Sequence, residues 1–220
     1  MSLYLKTVLF HAPLVAKVLM HCDVGVGMGV GIFLQVKQQT QHLHDQLEQS
    51  VDIFNQLAHI DHYRSVLEIF YGFYQPLENK LTMVDGVELL EFHTRLKVPH
   101  LRSDLQALGL QRESIDQLQT CNELPAIHSL AGALGYWYVV EGATLGGQII
   151  SKQLAKLGIT IDHGGAFFNA YGTNTATMWL NFKNIVEQRV NTQENENIFI
   201  DSAQETFVKL IHWFRLKNDD

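Results

Sequence analysis

The strongest constraint on this chain is a glycine-rich apolar stretch over residues 126–157. It has no period-two alternation and is far longer than an ordinary strand, so it reads as a buried helix. Gly142 and Gly146 are four residues apart and share one face of that helix. A glycine inside a helix costs about 1 kcal/mol relative to alanine. The grouping of Gly142, Gly146 and Gly147 therefore means that something needs the missing side chains. Two explanations stay open on spacing alone: a second helix crosses closely there, or a flat ligand lies against a bent backbone. A phosphate loop is excluded, because no Gly-Lys-Ser/Thr follows.

The rest of the chain is patterned the same way. Leu43, Leu47, Val51 and Phe54 recur at helical spacing, as do Tyr63, Leu67, Phe70 and Tyr74. Pro76 is expected to bend or end the second of these segments. Leu101, Leu105 and Leu108 mark a third helix with Gly109 as its C-terminal cap. Further helices are expected over 175–190 and 198–216, the last turning Phe199, Ala203, Phe207, Leu210 and Phe214 inward. The fold class is therefore all-α. At 220 residues, 46% hydrophobic and 18% charged, the chain supplies one core and hence one domain.

Composition also excludes partners. The net charge is −7 with no basic run, which argues against nucleic acid. Cys22 and Cys121 form no CxxC pair, so neither a disulfide scaffold nor a thiolate zinc site is expected, in keeping with a cytoplasmic location. Residues 1–33 are apolar but are interrupted by Lys6, Lys17 and Asp23, well short of the ~20 apolar residues of a membrane span. They lack an obvious signal-cleavage site and are read as an extension preceding a domain over 34–220. Within them, Gly25, Gly27, Gly29 and Gly31 do not have dinucleotide-loop spacing.

Eleven histidines are present, and helix geometry separates two of them. Around the apolar face set by Val36, Leu43, Leu47, Val51 and Phe54, His44 lies about 70° from the centre and His42 about 130° away. His44 thus reaches the core edge and His42 points to water. Glu48, one turn on, is placed to accept a hydrogen bond from one imidazole nitrogen and leave the other free for a metal. A solvated His–Glu pair is the alternative from the helix alone.

Taken together, Thr40-x-x-x-His44-x-x-x-Glu48 and Gly142-Ala143-Thr144-Leu145-Gly146-Gly147-Gln148 resemble the proximal and distal motifs of the heme oxygenase family. Ala166-Phe167-Phe168-Asn169, Trp179-x-x-Phe182-Lys183 and Ala203-x-x-Thr206-Phe207 extend the likeness over 34–216. The bacterial enzymes associated with bacteriophytochromes look most similar, through Tyr138-Val139-Val140-Glu141-Gly142, Arg95-x-Lys97 and Tyr171-Gly172.

The resemblance implies a helical bundle that holds heme between a proximal helix and a kinked, glycine-rich distal helix. It makes His44 the axial iron ligand, oriented by Glu48, and makes Gly142, Gly146 and Gly147 the distal wall. Lys37 and Lys183 would meet the heme propionates, and Phe207 would line the substrate site. Ala143 stands where many members carry an aspartate that orders water, and Glu187 where another propionate contact is basic. The implied activity is oxidative opening of heme, at once substrate and cofactor, to biliverdin with release of ferrous iron and carbon monoxide. It uses molecular oxygen and an external electron donor such as ferredoxin or a reductase, since no flavin or nicotinamide motif is visible. Ala143 keeps a non-catalytic heme carrier as the rival. A thiamin-degrading hydrolase would need Cys22 or Cys121 as nucleophile, and a di-iron oxidase would draw on His59, His62 and Glu68. Neither site assembles convincingly from the sequence, and His93, His100, His128 and His163 read as surface or structural.

Overall fold

The computed structural model describes residues 31–57 and 59–219, so the extension before Gly31, including Cys22, lies outside the described residues. The helices run in the order α1 (Ile32–Val51), α2 (Ile53–Gln56), α3 (Ile60–Leu81), α4 (Phe92–Arg95), α5 (Val98–Ala107) and α6 (Arg112–Asp116). They continue as α7 (Leu130–Lys156), α8 (Ala166–Asn169), α9 (Thr175–Arg189) and α10 (Gln193–Asp219). Among the described residues the only β pairing is isolated bridging at Thr160. No helix among them is long and apolar enough to cross a membrane.

Helix α10 packs against both α1 and α7. Gln204 donates to the Gln39 carbonyl (3.3 Å) and Asn218 to that of Ser50 (3.1 Å), so α1 and α10 run in the same direction. Ser202 donates to the Gly132 carbonyl (2.6 Å) and Phe199 meets Tyr138 (5.9 Å between centroids), so α7 runs opposite to α10. The expected inward residues Phe199, Ala203, Phe207, Leu210 and Phe214 are all buried. Helix α1 starts at Ile32, and Phe33 sits in an aromatic cage of Tyr138, Trp179, Phe182 and Phe199. It ends at Val51 because Asp52 turns left-handed (φ 43°), which assigns Phe54 to the separate α2.

The glycine-rich stretch is one helix, as its length required. Ser129 caps its start by accepting from Gly132 N–H (3.2 Å). Its end turns at Gly158 (φ +78°), and Ile159 N–H returns to the Leu154 carbonyl (3.0 Å). Gly109 caps α5 in the same manner: its φ is +96°, and Leu110 N–H reaches the Leu105 carbonyl (3.0 Å).

Pro76 does not end its segment, because α3 continues through it to Leu81. A proline removes the hydrogen bond to the carbonyl four residues back, here Gly72. That carbonyl instead accepts from Cys121 N–H (2.8 Å). Gly72 has no side chain to block the approach, and a Cβ there would strike the Gln119 carbonyl. The loop after α6 thus supplies the partner that proline took away, a compensation the local sequence does not reveal.

Candidate active site

His44 lies at the edge of α1, with 22% of its side chain exposed, while His42 is exposed. The turn below is fixed by Thr40, whose hydroxyl donates to the Val36 carbonyl (2.7 Å). The imidazole meets the Phe207 ring edge-on, 6.1 Å between centroids and 70° between planes. Burial lowers the His44 pKa, against a weaker upward pull from Asp45, so the ring is neutral at pH 7. Neutral imidazole is the form that ligates metals. Nδ1 is buried and has no hydrogen-bond partner. Glu48 Oε1 stands 3.7 Å from it and Asp45 Oδ1 4.0 Å, beyond hydrogen-bond length. The expected His44–Glu48 hydrogen bond is therefore a facing approach here, and Asp45 joins it unforeseen.

The three clustered glycines of α7 have different surroundings. Gly142 is half-buried, and a Cβ added there would meet nothing within 4 Å. Ala143 beside it is exposed, and Gly146 is buried. At Gly147 a Cβ would collide with the Phe168 carbonyl, so that glycine admits the backbone of α8. Phe167 and Phe168 are 4.8 Å apart, and Phe70 lies 5.1 Å from Phe167 and 4.9 Å from Phe214, between ring centroids. This aromatic cluster links Gly147 to the helix that carries Phe207 beside His44. The buried Asp104 carboxylate pins α8 by accepting from Ala166 N–H (2.8 Å) and Phe167 N–H (2.7 Å).

Of the two predicted lysines, Lys37 is on α1 and Lys183 on α9. Lys183 Nζ sits 5.9 Å from the Phe33 ring centre, and Lys37 follows Phe33 by one turn. Both are half-buried, and Glu187, one turn beyond Lys183, is exposed. His59, His62, His93, His128 and His163 are exposed. Cys121 is buried, and burial raises its pKa, the wrong direction for a nucleophile.

The heme oxygenase family model matches residues 32–216 of this chain. The chain belongs to the heme oxygenase family. A heme oxygenase of Xanthomonas campestris pv. campestris (strain 8004) is 30% identical over 151 residues, which is 67% of this chain and 85% of that protein. The crystal structure of the heme oxygenase of Neisseria meningitidis, in NO- and CO-bound forms, has the same fold at a TM-score of 0.73. That match covers 86% of this chain and 92% of the other at 20% identity. Heme oxygenase activity, an oxidoreductase chemistry with heme as substrate, follows from the family and the relative.

This heme oxygenase holds a second polar centre whose roles the sequence did not give away. Glu141, directly before Gly142, is completely buried. Its carboxylate meets Arg95 Nη1 (2.8 Å) and Lys97 Nζ (3.1 Å), and accepts from Tyr171 OH (2.6 Å). Lys97 Nζ also donates to Tyr171 OH (2.7 Å), and Lys97 N–H donates to Glu78 Oε1 (2.6 Å). Burial pushes the Glu78 carboxyl up to about 7 against the pull of the Lys97 and Val98 N–H donors and the Lys97 charge, and it lowers the Lys97 pKa. A lone carboxylate between Val140 and Gly142 in an otherwise apolar run was the available signal. Its partners come from other segments, and spacing along one helix cannot name them.

Proposed function

We propose that this heme oxygenase ligates heme iron through Nε2 of His44 and opens the porphyrin to biliverdin, with release of ferrous iron and carbon monoxide. The observation that carries the reading is His44 at the core edge, 22% exposed and edge-on to Phe207, within the Thr40–His44–Glu48 motif. The residues fit the substrate. Nδ1 has no competing partner and faces Glu48, and Gly142 leaves open space on the distal helix. Bound heme supplies the iron site for molecular oxygen as well as the carbon that is oxidised.

Each residue has a distinct task in this reading. His44 orients the ring plane, and Glu48 and Asp45 favour a proton on Nδ1, which keeps the Nε2 lone pair for ligation. Lys37 and Lys183 place cations where the carboxylates of the substrate require them. Phe207, with the Phe167–Phe168 pair, excludes water from the apolar edge. Gly142 and Gly146 let backbone rather than side chain face the reacting side, while Gly147 admits the Phe168 carbonyl. Ala143 offers no acceptor or donor there. Thr144 donates its hydroxyl proton to the Glu141 carbonyl (2.6 Å), which leaves only its lone pairs for water. Electrons come from an external donor such as ferredoxin or a reductase. The order of motifs from Arg95 to Tyr171 supports the bacteriophytochrome-associated branch.

The test is an absorption time course with added heme, a reductant, air and catalase. Loss of the Soret band with growth of a bilin band, abolished in His44→Ala, is the expected result. A stable Soret band that depends on His44 makes the protein a heme carrier, the reading that Ala143 favours. A spectrum and rate unchanged in His44→Ala would overturn the ligand assignment.

A further inference from the structure

The loop around α8 touches α7 at both ends of the glycine segment. At the upstream end, Tyr171 OH donates to Glu141, and Lys97 bridges the pair while standing 4.3 Å from the centre of the Tyr171 ring. At the downstream end, the Phe168 carbonyl occupies the space beside Gly147, and Gln148 Nε2 donates to the Gly172 carbonyl (3.2 Å). Between these holds lie Gly142 to Gly146, where Gly142 has open space beside it. The loop itself is fixed to α5 through Asp104. It contains Ala170 at φ 46° and ψ −106°, a positive-φ conformation that a residue with a Cβ adopts only under constraint. That turn delivers Tyr171 to Glu141. Replacing a buried charge network by apolar residues is often neutral for stability, so stability alone does not explain this one.

We infer that Tyr171 is a positioning residue: through Glu141 it fixes the upstream end of the glycine segment, and with the Phe168–Gly147 contact it confines bending of α7 to Gly142–Gly146. The consequence for the reaction rests on the proposed reading of this segment as the wall that faces heme. Burial and the neighbouring Glu141 push the Tyr171 pKa up, so it remains a hydrogen-bond donor across the working pH range.

The experiment is backbone hydrogen exchange by mass spectrometry on ligand-free wild-type and Tyr171→Phe protein, with the C–O stretching band of the carbon monoxide complex of the ferrous heme-loaded protein as a second readout. Exchange in peptides covering 142–148 should rise about tenfold or more, the loss expected for a hydrogen bond to a charged group, while α3 and α10 stay unchanged. The C–O band should broaden or split with heme affinity retained. Gln148→Ala cuts only the exposed bond to Gly172 and should raise exchange in the same peptides by less. Unchanged exchange over 142–148 in Tyr171→Phe overturns the inference, as does equal acceleration in every helix. If the wild type binds no heme, the heme reading fails, and the exchange result alone still decides whether Tyr171 holds the segment.

Discussion

Gly135 and Gly142 lie two turns apart on the same helix, yet they answer to different neighbours. A Cβ at Gly135 would collide with the Phe199 carbonyl and stand 2.8 Å from the Ser202 Cβ and 3.0 Å from the Ala203 nitrogen. The obstacle is largely backbone of α10, which cannot rotate away. A Cβ at Gly142 would meet nothing within 4 Å. Of the two explanations that the sequence left open for glycine in this helix, close packing holds at Gly135 and Gly147, where neighbouring backbone fills the space of a Cβ. Gly142 faces unfilled space. Glycine enrichment by itself does not say which force retains it; the direction of the absent Cβ does.

The comparison is broken most directly at Gly135. Gly135→Ala should separate α7 from α10 across the main helix crossing and cost roughly 3 kcal/mol, the upper part of the overpacking range. For a domain of this size that is a fall in Tm of about 6–12 °C. Denaturant and thermal unfolding of the ligand-free protein measure it. A loss within experimental error of zero would mean that the crossing is loose and that Gly135 is not a packing glycine.

The next effect sharpens the contrast through the polar anchor upstream of Gly142. Glu78 holds the backbone of Lys97, and Lys97 holds Glu141. Burial raises the Glu78 pKa from 4.5 to about 7, so folding favours its protonated form. Below the unfolded value both states carry the proton, and this contribution is fully present. As pH rises from 4.5 to about 7 the unfolded chain releases a proton that the folded protein keeps. Stability from this group then falls with pH by up to about 1.4 kcal/mol per unit, and levels off above that window. Glu78→Gln should flatten this slope. Chemical denaturation of both proteins at pH 5 and pH 8 reads the difference. Parallel profiles would show that Glu78 is ionised in the fold throughout.

The limits of sequence reading follow the same division. Helix existence, the cap at Gly109 and the inward face of α10 follow from local spacing, and the structure has each of them. His44 over His42 also follows, because one helix face decides it. Pro76 inside α3 does not, since its lost hydrogen bond is replaced from a loop some forty-five residues later. The Glu141–Arg95–Lys97–Tyr171 centre does not either, because its four side chains come from three separate parts of the chain. Periodicity reports which face of a helix is buried, and it carries no record of what lies against that face.

Gly142→Ala has the smallest expected effect on stability, and it tests the contrast most finely. With open space beside position 142, the added methyl meets no atom in the ligand-free protein. Alanine is the better helix former and also restricts the unfolded chain, so the substitution should stabilise by about 0.4–1 kcal/mol. The same methyl would project into the space assigned to substrate. Heme opening should therefore slow markedly while the His44-dependent absorption spectrum is kept. A destabilisation like that of Gly135→Ala would show that the space is already filled in solution. Unchanged turnover with raised stability would place the substrate elsewhere along α7, and would leave Gly142 as a helix defect with no ligand against it.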